Sequence, residues 1–361
     1  FKQKTAYEIV DCDWSSDVCS SDLRGQVLAV KGVGGYHLIG DARQPAVLQR
    51  LRAAKQRSAK PFALMVPNAA SAARWVRLDA DSAALLTSPA RPVLLLPCQP
   101  GVATAHPEVA PGLDEWGVML PSAPLHELLW HAALGEPAGT AWRSQAHDGL
   151  WVATSANAGG EPLLHEEGEA LRELAGLADA WLAHDRPIVH PLDDSVRRPM
   201  APGHAPFVRR ARGHVPEPVP LPGVPADAPP VLATGGWLKN TVCVTRGDQA
   251  FLSAHVGDLG GAGPRRLHAE AAERLLQFLG VRPAAVAHDL HPDFFSSAHA
   301  QDLAARWGVP AQAVQHHVAH GAAVLAEHGH AGPALALVLE DRKSTRLNSS
   351  HSQKSRMPSS A

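Results

Sequence analysis

Apolar residues fall into short blocks along the chain, separated by glycine, proline and polar turns. QVLAVK (26–31) has the length of a strand, and the GVGGYHL that follows reads as a glycine-permissive turn. Positions 45–56 place Val47, Leu48, Leu51 and Ala54 on one helical face. Pro61 opens the strand FALMV, and 68–76 and 79–87 predict short helices. RPVLLLP (91–97) is a further strand, GVMLP (117–121) leads into the helical PLHELLWHAAL, and LWVATSAN (150–157) is a strand running into a polar turn. Glu166–Leu177 reads as helix, and AWLAHDRPIVH returns to strand character. Strands alternating with helices over nearly 200 residues predict an α/β domain.

Between Pro216 and Pro230 there are seven prolines in fifteen residues, the composition of a stiff, extended linker. Beyond it VLATGG, TVCVTRG and QAFLSAHVG predict a strand meander. Then come a helix over about 264–279, the strand AAVAHDL, a helix over 297–307, and HHVAHGAAVLAEHG, a helix that begins at a histidine cluster. PALALVLE (333–340) closes this part as a strand. The expected organisation is a first domain at 24–215, a linker at 216–230 and a second domain at 231–340.

Composition narrows the function classes. The 361 residues are 45% hydrophobic and carry a net charge of −2, which argues against a generic nucleic-acid-binding surface. No apolar run approaches the ~18–20 residues needed to cross a bilayer. Cys12, Cys19, Cys98 and Cys243 form neither a disulfide framework nor a CxxC zinc pair, so a reducing, cytoplasmic setting is expected. The flanks differ from the body. Residues 341–361 hold seven Ser and five Lys or Arg with almost no apolar residue, and 1–23 also shift abruptly in composition. Both resemble translated sequencing-adaptor read-through and are set aside from the fold.

Residues 24–340 contain 22 Arg but only four Lys: Lys31, Lys55, Lys60 and Lys239. Arg52, Lys55, Arg57 and Lys60 gather within LRAAKQRSAK, at a helix-to-strand junction. The helix dipole accounts for Arg52 and Lys55, because cations near a helix C-terminus gain about 0.3–1 kcal/mol. It leaves Arg57 and Lys60 unexplained, and cations on a short connection suit a polyphosphate. On composition the two readings stand level. Thr154, Ser155 and Asn157 bring hydroxyls and an amide to a strand end before AGGEP; this is either a ligand crevice or an ordinary polar turn. His316 and His320 stand at i, i+4, a spacing that suits Zn or Fe but arises readily by chance among 21 histidines.

Taken together and in order, the motifs are specific. KGVGGYHLIGDA, KQRSAKPFALMV, APGLDEWGVMLPSAPLHELL, TSANAGGEP, HDRPIVHPLDDSV and DDSVRR…FVRRARG resemble the YrdC-like domain of the hydrogenase-maturation carbamoyltransferase HypF family. ATGGWLKNTVCV, LSAHVGDL, HDLHPDFFSS and VQHHVAHGAAVLAEHG resemble the start of that family's second catalytic domain, which is similar to the tRNA threonylcarbamoyl transferase and belongs to the actin-like ATPases. The resemblance implies a YrdC-like α/β domain followed by a truncated actin-like α/β domain. It implies ATP-dependent carbamoyl transfer: carbamoyl-adenylate forms with release of pyrophosphate, and the carbamoyl group passes to the C-terminal cysteine of HypE. Two readings remain beside it, a threonylcarbamoyl-adenylate synthase of tRNA modification and an RNA-binding YrdC-like module. KGVGGYHLIGDA and the downstream LKN and HHVAH segments speak against the first.

By motif, the resemblance implies that Lys55, Arg57 and Lys60 hold ATP phosphates, carried with Mg, and the carbamoyl oxygens. Thr154, Ser155 and Asn157 would bind the nucleotide phosphate or the carbamoyl group, Lys31 would join the same site, and Ser195, Arg209 and Arg212 would close it. Lys239 and Asn240 would face phosphate in the second domain, where Trp237 replaces a residue that is more often acidic in the family. His316 and His320 would supply half of a Zn or Fe site. His255, Asp258, Asp289 and His291 match motif positions without an assigned role. The family's acylphosphatase-like and cysteine-rich zinc modules have no counterpart in this chain, so carbamate is expected as a better donor than carbamoyl phosphate. Full transfer to HypE is not expected of it.

Overall fold

The computed structural model describes residues 25–56, 59–157, 161–330 and 332–338. The flanks, Arg57, Cys12 and Cys19 lie outside them. The chain divides into two compact units at Val215/Pro216.

In the first unit, β1 (Leu28–Lys31), β2 (Tyr36–Asp41), α1 (Pro45–Ala54), β3 (Ala63–Met65), α2 (Ala69–Trp75), α3 (Ala80–Thr87), β4 (Val93–Pro97), α4 (Val102–Ala105), β5 (Glu115–Met119), α5 (Pro124–Ala133), β6 (Trp151–Ser155), α6 (Glu167–Glu173), β7 (Ala180–Leu182), β8 (Val196–Arg197) and β9 (Phe207–Arg209) follow in order. The strands form one mixed sheet, ordered β7-β1-β2-β6-β3-β5-β4-β8-β9. Side chains alternate across it. Ala29, Tyr36, Leu38 and Val152 meet Val47, Leu48 and Leu51 of α1 on one face. Val30, Ile39, Met65 and Trp151 meet Leu125, Leu129 and Trp130 of α5 on the other. Trp130 stacks on Trp151 with ring centroids 3.5 Å apart.

Two sequence expectations are corrected here. The YHL of GVGGYHL is not turn but the start of the interior strand β2, YHLIGD, all six residues of which are buried. A strand covered on both faces need not alternate, and its polar Asp41 is satisfied by the Arg43 guanidinium and backbone N–H. AWLAHDRPIVH keeps strand pairing only over β7, where Leu28–Val30 pair with Ala180–Leu182.

The second unit holds β10 (Pro218–Pro220), β11 (Val231–Ala233), β12 (Cys243–Arg246), β13 (Gln249–Leu252), α7 (Ala262–Leu279), β14 (Ala285–Asp289), α8 (Phe295–Trp307), β15 (Ala311–Val314) and α9 (His316–Glu327). Its sheet is ordered β10-β13-β12-β11-β14-β15. Leu232, Val244, Phe251 and Val286 pack on Ala272, Leu275 and Leu276 of α7 and Ala300 and Leu303 of α8. Part of the proline-rich stretch is therefore not linker. Pro218–Pro220 pair with Gln249–Phe251 as an edge strand, a place where a missing N–H is tolerated. PALALVLE is not a strand over its described part, 333–338, where Leu335 and Leu337 are exposed.

Candidate active site

The ends of four neighbouring strands converge in the first unit: the C-terminal ends of β7, β1 and β6 and the N-terminal end of β2. Lys31 closes β1, and its side chain is 4% exposed. Its Nζ donates to the His184 carbonyl at 2.8 Å, and among the described residues it pairs with no carboxylate. Such a buried cation is costly unless an anion joins it. Beside it, burial lowers the His184 pKa, and the Lys31 charge pushes the same way.

Across the sheet, β2 pairs with β6 so that His37 stands opposite Ser155 and Leu38 opposite Thr154. α1 brings in Lys55. Pro45 starts that helix, its apolar stripe packs on the sheet, and Lys55 occupies the C-cap position. Lys55 is also 4% exposed. Its Nζ donates to the Ser155 carbonyl, to the Asn157 carbonyl at 2.8 Å and to Asn157 Oδ1 at 3.2 Å. Ser155 Oγ donates to the same Oδ1 at 2.8 Å, and Asn157 Nδ2 donates to Glu161 O. Residues about one hundred positions apart thus form one polar cluster at a strand end. Thr154 is buried at the foot of this cluster.

Arg52, on the same helix, turns away from it. Arg52 binds the carbonyls of Glu108 and Val109 and lies 4.6 Å over the Phe62 ring, so its work is to tether the chain. Lys60 is exposed, and its carbonyl accepts from Arg52 Nη1 at 3.2 Å.

Ser195 and Arg212, expected to close the site, are engaged inside the protein. Ser195 has no exposure, donates to Arg212 O and accepts from Ala211 N. The Arg212 guanidinium binds Asp194 through Nε and Nη2, and the carbonyls of Ala90 and Arg91. Asp194 in turn lies 3.1 Å from His37 Nε2. Burial by itself would raise the Asp194 pKa; His37 and Arg212 outweigh it and hold the carboxyl well below its usual range. Arg209 is half-buried, with Nη1 3.5 Å from Asp193. Sequence spacing carried no sign of the His37–Asp194–Arg212 chain, because its members are joined only by the sheet.

In the second unit, His316 and His320 approach with their Nε2 atoms 3.0 Å apart. His316 Nδ1 lies 2.6 Å from Asp289 Oδ2, whose other oxygen accepts from His291 N. A carboxylate on the far side of an imidazole orients it for a metal, so Asp289 gains a place that its motif match alone did not give it. Among the described residues no group of three or more candidate ligands forms. Asn240 is buried, with Nδ2 clamping Thr234 O and Gly236 O and with no partner for Oδ1 among the described residues. Lys239 stands at φ +48°, and its N–H is bound by Asp258 Oδ1.

Comparison with known proteins places this geometry. The Sua5/YciO/YrdC family model, described as telomere recombination, matches residues 23–211, and the HypF Kae1-like domain matches 226–327. Carbamoyltransferase HypF2 of Cupriavidus necator is 51% identical over 335 residues, 92% of this chain and 41% of that protein. Carbamoyltransferase HypF of Rhizobium leguminosarum bv. viciae is 45% identical over 88% of this chain and 39% of its own length. A crystal structure of full-length HypF in the phosphate- and nucleotide-bound form superposes with a TM-score of 0.75 at 34% identity, covering 88% of this chain and 46% of that one. T. kodakarensis HypF gives a TM-score of 0.76 at 30% identity, covering 87% and 39%. The chain belongs to the Sua5/YciO/YrdC family through its first domain, and the part behind it is similar to the HypF Kae1-like domain. It spans about two fifths of the length of the curated relatives it matches.

Proposed function

We propose that the first domain makes carbamoyl-adenylate. A carbamate oxygen attacks the α-phosphorus of ATP, the bond to the β-phosphate bridge breaks, and pyrophosphate leaves with Mg. The observation that carries this reading is the cluster of Lys55 with Ser155 and Asn157 beside Lys31. Two buried ammonium groups next to a hydroxyl and an amide at neighbouring strand ends suit a dianionic transition state, which they stabilise without reorganising. Arg57 and Lys60 join them on the α1–β3 connection, and Thr154 lines the cluster. Ser195, Arg209 and Arg212 act by holding the 193–212 segment against it. That a related HypF was crystallised with phosphate and nucleotide supports ATP as the co-substrate.

In the second domain, Lys239 and Asn240 shape the phosphate-facing loop, and His316 and His320 are two ligands of a Zn or Fe ion. Their converging Nε2 atoms and the Asp289 brace fit that role. Zinc sites take four ligands as a rule, so two histidines hold the ion weakly. A metal there would supply Lewis-acid polarisation of the carbamoyl oxygen. The acceptor of the carbamoyl group is the C-terminal cysteine of HypE, within hydrogenase maturation in the cytoplasm. Among the described residues no helix is long and apolar enough to cross a membrane.

The test is pyrophosphate release from ATP by the full chain with carbamate, with carbamoyl phosphate, and with bicarbonate plus threonine. Release with carbamate that falls at least about 100-fold in Lys55→Ala is the expected result, the size of effect that loss of a charge-stabilising donor has in other sites. Release only with bicarbonate plus threonine would transfer the protein to tRNA modification.

A further inference from the structure

A cavity of about 730 Å³ lies beside the last strands of the first sheet. Three pieces of chain bound it: the start of α3, the end of β4 and the hairpin that joins β8 to β9. The hairpin is held over the helix by its tip, where Gly203 N donates to Asp81 Oδ2 at 3.1 Å. It is the opposite end of β4 that is tied to the candidate active site. There Arg212 binds the carbonyls of Ala90 and Arg91 and, through Asp194, reaches His37. Leu96 and Pro97, which line the cavity, stand where β4 ends. The cavity shares no residue with the Lys55, Ser155 and Asn157 cluster.

Leu78, Leu85, Leu96 and Met200 give the cavity a largely apolar wall. One cation stands within it. Arg197, at the end of β8, is half-buried. Its Nε donates to Ala205 O at 2.8 Å, which is the one hydrogen bond its guanidinium makes among the described residues. The guanidinium lies 4.7 Å from the centroid of the Phe207 ring. Burial lowers its pKa, and no neighbouring carboxylate raises it again. Arginine stays charged through such a shift. Asp79 and Asp81 also line the cavity, but both are exposed and already engaged. Asp79 Oδ1 caps α3 by accepting from Ser82 N, and Asp81 holds Gly203.

A charge withdrawn from water is unfavourable until an opposite charge joins it. The volume falls in the range of small-ligand sites, whose walls are mostly apolar with a few placed polar groups. With Nε occupied, a guanidinium still offers its two Nη atoms as a fork, and that fork matches the two oxygens of a carboxylate. Two aspartates at the rim repel a dianion more than a monoanion. We propose that this cavity binds a monocarboxylate with a short apolar body, its carboxylate on Arg197 and its body against Leu78, Leu85 and Leu96. The site is independent of the adenylation reading. Its ligand is either a free small acid or the C-terminal end of a peptide, which share this chemistry.

Carbon-13 NMR of the methionine methyl groups in the full chain tests the proposal. Met200 lines the cavity, whereas Met65 and Met119 are buried in the core, so one signal reports binding and two report the fold. Isocaproate should move the Met200 signal and leave those of Met65 and Met119 in place. Isocaproamide, the same body without the charge, should bind at least about tenfold more weakly, the effect of losing a hydrogen bond to a charged group. Arg197→Gln should erase that difference by weakening the acid alone. Ala84→Phe puts a ring into the cavity and leaves every charge in place; it should stop the acid from binding.

N-acetyl-leucine carries the same isobutyl group next to an amide and separates the two sources. Tighter binding than that of isocaproate assigns the site to a peptide end, and weaker binding assigns it to a free acid. No movement of Met200 with either acid overturns the proposal, as does equal affinity for isocaproamide. Inorganic phosphate that binds as tightly as isocaproate overturns it too.

Discussion

His126 has no exposure, and its Nδ1 accepts the Ser122 N–H at 3.3 Å. Burial lowers its pKa from 6.5 to about 3. The folded protein keeps this ring neutral, while the unfolded chain takes up a proton near 6.5, so the unfolded state binds more protons between those values. Its contribution to stability is complete above pH 6.5 and is lost progressively as pH falls toward 3, with a slope of about 1.4 kcal/mol per pH unit. Denaturant titrations at several pH values should show that His126→Leu makes the acid-side loss shallower by about one proton. An unchanged slope would mean that the ring is protonated in the native state. Asp194 adds to the same acid limb at lower pH. Its folded pKa is depressed, so its contribution is present above about 3.9 and disappears as pH falls below that. Neither effect is legible in sequence, where His126 looks like any polar residue on the helix PLHELLWHAAL.

Among the elements, the β1–β2 turn is closely packed on both sides. Gly32 N donates to Gly35 O at 2.8 Å, and Leu192 N donates to Gly34 O at 2.9 Å. A Cβ on Gly34 would fall 2.1 Å from the Leu192 carbonyl oxygen, and one on Gly35 would fall 2.3 Å from Leu163. The first of these obstacles is backbone, so the turn must move away from the 192–194 segment that carries Asp194. Gly34→Ala should destabilise the first domain by about 1–3 kcal/mol. It should also weaken carbamate use more than ATP binding, as read from the thermal midpoint and the two KM values. A protein with wild-type midpoint and kinetics would show that the turn is slack. The glycines were visible in sequence as a turn signal, but their reason was not. They serve close approach, because none of Gly32, Gly34 and Gly35 has a positive φ.

At the scale of the whole molecule, the two units have separate cores, one pair of clusters on the faces of the first sheet and a third on α7 and α8. The candidate adenylation cluster lies wholly in the first unit and the His316–His320 pair wholly in the second. Stripping the protein with a zinc chelator and restoring Mg should therefore leave pyrophosphate release unchanged, while His320→Ala should abolish what Zn binding titration calorimetry detects. Loss of pyrophosphate release on stripping would tie adenylation to the metal and contradict this division.

The sequence alone determined most of the helices and the alternation of helix with strand, because those periodicities are local, and the proline-rich stretch breaks the chain visibly between its two parts; it did not show β2, the short strands β8, β9 and β10, or β15. It also determined the family, through motifs that stand in a specific order. It brought Lys55 together with Ser155 and Asn157 only by that resemblance; composition left a helix-dipole cation and a polyanion cradle equally placed. Tertiary structure decided what each charge does. Arg52 and Lys55 are three residues apart on one helix, yet one is spent on backbone carbonyls and the other reaches the strand end. His37, Asp194 and Arg212 become one chain of hydrogen bonds, since the sheet brings residues 157 positions apart within reach. The two-sided burial of β2 was hidden for the same reason. Whether a strand is covered on one face or both depends on which helices return to it, and no local pattern holds that information.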